Sequence, residues 1–258
     1  MAVTSGSVHV PKVTTSMRHR PEVVKQGLYE ISSEQLHMLG SRLEIGDGRV
    51  FYYTKAGAAN LVACKMNEGA APEANHLKCA VAEAVSPGYS TIKLTLGATL
   101  VTLNEYAEGY LNIDNGGGGY TSYKIKGHAA GALSTTVSFN LYDPVQVALT
   151  GSMFGTLTKN PWKDVVVAPA SAAQAQLPVG VNSVAVTAAY FFWCQTWGPC
   201  SCLLGAGPPA ISDLLMTSAA TAGALIVYAV TASRTPVGIL MRAEAAADYG
   251  LVFLTIAP

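Results

Sequence analysis

Apolar residues recur at every second position along many short stretches of this chain. Residues 91–96 read Thr-Ile-Lys-Leu-Thr-Leu, which puts Ile92, Leu94 and Leu96 on one face of a strand and Thr91, Lys93 and Thr95 on the other. Residues 137–142 alternate again and stop at Asp143-Pro144, where proline cannot donate to a ladder. Residues 110–113 and 120–126 flank the glycine-rich run 114–119, a hairpin pattern. Asp47-Gly48 predicts a turn ahead of a strand over 49–54. Further on, residues 165–167, 184–194, 214–216, 224–230, 237–241 and 249–256 read as strands, Trp197-Gly198-Pro199 as a turn and Pro208-Pro209 as a loop. Short strands at such regular spacing predict an all-β fold, a sandwich or barrel-like β-body in one or two lobes. The small-residue linker 168–178 sets the expected division: an extended N-terminal arm over 1–46, a β-rich lobe over 47–170 and a C-terminal β-rich lobe over 171–258.

Two stretches depart from this pattern. The first 46 residues carry a basic cluster, Lys12, Arg18, His19, Arg20 and Lys25, broken by Pro11 and Pro21. Val23, Val24, Leu28, Tyr29, Ile31 and Leu36 favour a strap that folds against a neighbouring subunit, because a solvated tail has no need of them. The second stretch is Tyr190-Phe191-Phe192-Trp193, with Trp197 close behind. Consecutive aromatics in a strand point to both sheet faces, so one face fills a core and the other is expected to meet a second lobe or another subunit. Lys12, Arg18, Arg20 and Lys25 of the arm, with Tyr190, Phe192, Trp193 and Trp197, are therefore the candidate interface residues. A sugar-stacking role for Trp193 or Trp197 is the alternative.

Composition adds to the picture. The 258 residues are 50% hydrophobic and 12% charged, with no formal net charge. Soluble domains are roughly 25% charged. A surface this neutral does little to keep copies apart, which suits a protein that ends in an assembly. Residues 1–10 are small and polar, without the apolar core of a secretory signal, and no apolar run approaches the ~20 residues of a membrane helix. Cys64, Cys79, Cys194, Cys200 and Cys202 are odd in number, which argues against a disulfide framework. The spacing of the last three lacks the paired knuckles of a zinc site, so no metal is expected.

Catalytic patterns are not evident. Gly116–Gly119 precedes a strand pattern, whereas a phosphate loop needs a helix there. Gly151-Ser152-Met153-Phe154-Gly155 is one residue out of register for a nucleophile elbow. No H-E-x-x-H pair and no calcium loop occurs, the five histidines are scattered, and Glu105 and Glu108 are neighbours in sequence only. The chain reads as a non-enzyme with no cofactor, although a triad dispersed along the chain leaves no sequence trace. The body carries no basic stripe for nucleic acid.

At the carboxyl end, Thr235-Pro-Val-Gly-Ile-Leu-Met-Arg242, the small-residue stretch 243–247 and Tyr249-Gly-Leu-Val-Phe-Leu254 resemble the closing hairpin of decoration (cement) proteins of tailed bacteriophages. The aromatic run 190–198 resembles the strand and glycine turn that precede it in phage virion proteins. The resemblance covers about the last 70 residues. It implies a virion protein on the capsid surface, made in the host cytoplasm, that clamps major capsid subunits and is commonly trimeric. A tail or fibre component is the neighbouring reading, and a carbohydrate-binding module or a hydrolase with a dispersed site the more distant ones.

Overall fold

The computed structural model describes residues 26–114, 120–171, 176–207, 209–230 and 234–258. Among them there is no α-helix, and one 3-10 turn over Ala74–His76 interrupts the strands. The described strands begin in a large sheet with β1 (Arg42–Glu44), β2 (Val50–Lys55) and β3 (Met66–Glu68). It then builds a separate barrel from β4 (Cys79–Val81), β5 (Thr91–Thr95), β6 (Tyr110–Asp114), β7 (Tyr120–His128), β8 (Thr136–Leu141) and β9 (Phe154–Thr158). It returns to the large sheet with β10 (Val166–Val167), β11 (Pro178–Asn182), β12 (Phe191–Leu203), β13 (Leu214–Thr217), β14 (Leu225–Val227), β15 (Pro236–Arg242) and β16 (Tyr249–Thr255).

The barrel closes in the order β4-β5-β8-β7-β6-β9, every neighbour antiparallel. The meander β6-β7-β8 with β5 returning beside β8 is a Greek key. Its inward positions, Ile92, Leu94, Leu111, Ile113, Tyr123, Ile125, Val137, Phe139, Leu141 and Leu157, form one buried cluster. The centre is tight at Gly155, where a Cβ would lie 2.8 Å from Leu111 and 2.9 Å from Leu94, so the absent side chain lets those leucines meet.

The large sheet runs β10-β3-β11-β12-β16-β15-β13-β14, with β2 also paired to β12 and β1 to β2. The expected all-β class is what the chain adopts. Its hydrogen bonding, however, cuts across the expected division at residue 170. β2, β3 and β10 pair within the C-terminal sheet, and the barrel, residues 79–158, is an insertion between β3 and β10. Sequence spacing cannot reveal this, because partners such as Tyr53 and Trp193 lie far apart in the chain.

Two local expectations also change. Residues 183–190 form no regular strand, and β12 begins at Phe191. Trp197-Gly198-Pro199 does not turn the chain back but lies inside the 13-residue β12. There the strand bulges between Gln195 and Trp197, Gly198 takes φ +85°, and β12 passes from pairing with β2 to pairing with β16. Gln195 holds the bend by donating from Nε2 to the carbonyls of Trp197, Gly198 and Pro199 at 3.1, 3.3 and 2.8 Å.

Candidate interaction face

The aromatic strand does point both ways. Phe192 and Cys194 pack with Ala56, Leu61, Val165, Val179 and Val186, with Tyr190 half-buried beside them. Phe191 and Trp193 pack on the opposite side with Leu39, Phe51 and Tyr53. That second side is covered by this chain's own segment 26–45, whose Leu28, Leu36, Leu43 and Ile45 lie against it. Gln26 is the anchor. Its Nε2 donates to the carbonyls of Glu30 and Phe191 at 2.8 and 3.0 Å, its Oε1 accepts from the Tyr53 hydroxyl at 2.8 Å, and its carbonyl accepts from Trp193 Nε1 at 3.0 Å. The described part of the expected arm is thus a strap laid on its own subunit. Lys12, Arg18, Arg20 and Lys25 lie outside the described residues. Phe192 and Trp193 are 1% and 3% exposed, which leaves neither ring a face for a sugar or a neighbour.

The open apolar surface lies elsewhere, on the outer face of β12, β16, β15 and β13. The inward residues of these strands, Cys200, Cys202, Val252, Leu254, Val237, Leu240 and Leu215, fill a core. Alternation sends the intervening residues outward, and these are apolar too. Pro199, Phe253, Ile239 and Leu214 stand opposite one another in a single row across four strands. Leu251 and Tyr249 continue the face along β16. A bulge in β15 between Leu240 and Arg242 leaves both Met241 and Arg242 exposed. Leu214, Ile239, Met241, Tyr249 and Leu251 are each 38–45% exposed. Trp197 joins the rim, its ring edge-on to Phe253 at 5.6 Å. Of the described candidate residues named from the sequence, Trp197 alone borders this face. β15 and β16 carry the carboxyl-terminal residues on which the phage resemblance rests.

Polar clusters elsewhere are closed. His76 Nδ1 meets the Tyr106 hydroxyl at 2.7 Å and its Nε2 faces the Thr99 carbonyl at 3.2 Å, so Nε2 carries the proton and Nδ1 accepts. Likewise His128 Nδ1 faces the Ala129 carbonyl at 2.9 Å, and Nε2 accepts from the Tyr106 N–H at 2.9 Å. Burial lowers the His128 pKa, with the Lys163 charge acting in the same direction and the Ala129 carbonyl opposing it. Burial pushes the Tyr106 hydroxyl far up. The ring nitrogens of His76 and His128 are thus all in hydrogen bonds.

At the junction of barrel and sheet, Glu108 accepts from Leu39 N–H at 2.6 Å and from Gln35 Nε2 at 2.7 Å, and Lys163 Nζ donates to the Asn104 carbonyl at 2.6 Å. Burial lowers the Lys163 pKa. Cys194, Cys200 and Cys202 are buried free thiols. Burial raises the Cys194 pKa, and the described residues contain no His/Cys/Asp/Glu group arranged to hold a metal. No described helix is long and apolar enough to cross a membrane. No protein-family model, no curated protein and no solved structure matches the chain.

Proposed function

We propose that this chain is a non-enzymatic structural protein of a virion shell, a decoration protein that binds major capsid subunits and steadies the capsid surface. The observation that carries the structural part of this reading is the apolar row Pro199-Phe253-Ile239-Leu214 with Leu251, Met241 and Tyr249 around it, which no described segment covers and which suits a chain that packs against other protein. A contiguous apolar patch on a sheet face is a binding surface before it is anything else. The charge-poor, net-neutral composition fits repeated packing, and the resemblance at β15 and β16 supplies the viral context. Contacts that are weak singly become strong when repeated over many copies on one lattice.

The test is co-expression with the major capsid protein of a tailed bacteriophage whose genome carries this chain, followed by gradient sedimentation. The chain is expected to travel with the particles at a fixed stoichiometry and to raise their thermal disruption temperature. If it stays at the top of the gradient and the particles melt unchanged, the reading fails.

A further inference from the structure

We propose that the outer face of β12, β16, β15 and β13 is occupied by the same face of a second copy of this chain, related by a two-fold axis. The proposal rests on the reading of that face as an interface and names its occupant.

Three observations lead to a self-pairing. The central row is apolar across all four strands, and the charged side chain on the face, Arg242, stands at its margin paired with Glu244 at 3.0 Å. Turning the face onto itself therefore opposes no like charges at the centre. Second, the five most exposed side chains leave roughly 400 Å² of apolar surface open, taking about 200 Å² for a side chain of this size. That is about half of the roughly 800 Å² that each partner gives to a standard contact, and the half-exposed Pro199, Phe253 and Trp197 add to it. Ser201, Thr255 and Arg242 are placed to supply a polar rim. Third, an antiparallel sheet face that is apolar on both sides needs another sheet about 10 Å away to fill it, and this chain carries such a surface already.

A face that meets its own copy makes an isologous contact, and an isologous contact closes at two. The expected unit is thus a dimer, in place of the trimer that the phage resemblance implies.

Sedimentation velocity of the full chain over a range of concentrations, with the capsid co-sedimentation run in parallel, tests this. The wild type is expected at the mass of two copies. Ile239→Arg, and independently Met241→Arg, are expected at the mass of one, with the far-UV circular dichroism spectrum unchanged. Ser138→Arg, on the outside of the barrel, keeps the two-copy mass. Loss of the dimer with retained capsid binding supports the pairing. A wild type that is monomeric at every concentration or is trimeric overturns it, as does a folded Ile239→Arg that remains dimeric. A monomeric wild type whose capsid binding is abolished by Ile239→Arg overturns it too and gives the face to the shell. Failure of the wild type to bind capsids while it forms the dimer counts against the proposed function alone.

Discussion

The barrel and the large sheet obey the same rule inside and opposite rules outside. In both, alternate residues fill a core. On the barrel's outer surface the intervening residues are polar and pair across strands: Thr91 Oγ1 donates to Asn140 Oδ1 at 3.0 Å, Thr95 meets Thr136 at 3.2 Å, Ser122 donates to Asn112 at 2.8 Å, and Lys93 pairs with Glu83 at 3.0 Å. Exposed Tyr110 and Phe154 are single rings among them. On the outer surface of β12, β16, β15 and β13 the corresponding positions are Pro199, Phe253, Ile239 and Leu214. The inward set of residues determines that a strand packs. The outward set determines what the sheet can meet, and here it is polar on one body and apolar on the other.

The largest expected effect tests whether the two bodies are separate at all. Phe139→Ala removes the ring at the barrel's centre and is expected to cost about 3–5 kcal/mol. Trp162, Trp193 and Trp197 all lie outside the barrel residues 79–158. Circular dichroism should therefore show an early transition in urea while tryptophan fluorescence keeps its wild-type midpoint. If both probes shift together, the molecule is one cooperative unit and the two surfaces are not independent.

A smaller effect separates the sheet side that this chain covers from the side it leaves open. Gln26→Ala withdraws the acceptor of the Tyr53 hydroxyl, which keeps the Leu36 N–H as donor, and one donor to the Phe191 carbonyl, at a cost of about 1–3 kcal/mol. The fluorescence midpoint in urea should fall accordingly, with Trp193 emission shifting to the red. No change would mean that the strap is held by its leucines alone.

Acid should act on the barrel through His128. His128 has its pKa lowered in the folded state, so its stabilising contribution is complete above the unfolded value near 6.5 and is lost as pH falls from there through the folded value. In that window the barrel transition should lose up to about 1.4 kcal/mol per pH unit. His128→Gln should flatten that slope, and a slope that survives the substitution would assign the acid sensitivity to other groups.

Much of the fold could be read from the alternation in the sequence. The hairpin of β6 and β7, the period-two strands β5 and β8, and the closing pair β15 and β16 fall within a residue or two of their expected bounds. The two-faced aromatic strand was legible for the same reason. What was hidden depends on distant partners. Nothing local in Val50–Lys55 announces β12 as its neighbour, and the Gly198-Pro199 pair reads as a turn until β16 is seen to hold that part of β12 in the sheet. The interaction face was hidden in a more instructive way. A strand apolar on both faces, such as Leu251-Val252-Phe253-Leu254, looks the same in sequence whether its second face meets its own chain, as at Trp193, or is left open, as at Leu251. Only the course of the strap, which covers one sheet region and not the other, separates the two.

The smallest expected effect on stability exchanges the two outer surfaces residue for residue. Ile239→Ser gives the sheet a barrel-like exterior, and Ser138→Leu gives the barrel a sheet-like one. Neither touches a core, so at low protein concentration both should unfold within about 0.5 kcal/mol of the wild type. They should part as concentration rises. A face that binds its copy is stabilised by mass action, so the urea midpoint of the wild type and of Ser138→Leu should climb with protein concentration. The Ile239→Ser midpoint should stay flat. A lone leucine among threonines, asparagines and lysines makes no patch, which is why Ser138→Leu should not steepen the dependence beyond the wild type. If the Ile239→Ser midpoint climbs as steeply as the wild type's, the outer row of the sheet meets only solvent, and the contrast between the two surfaces has no functional content.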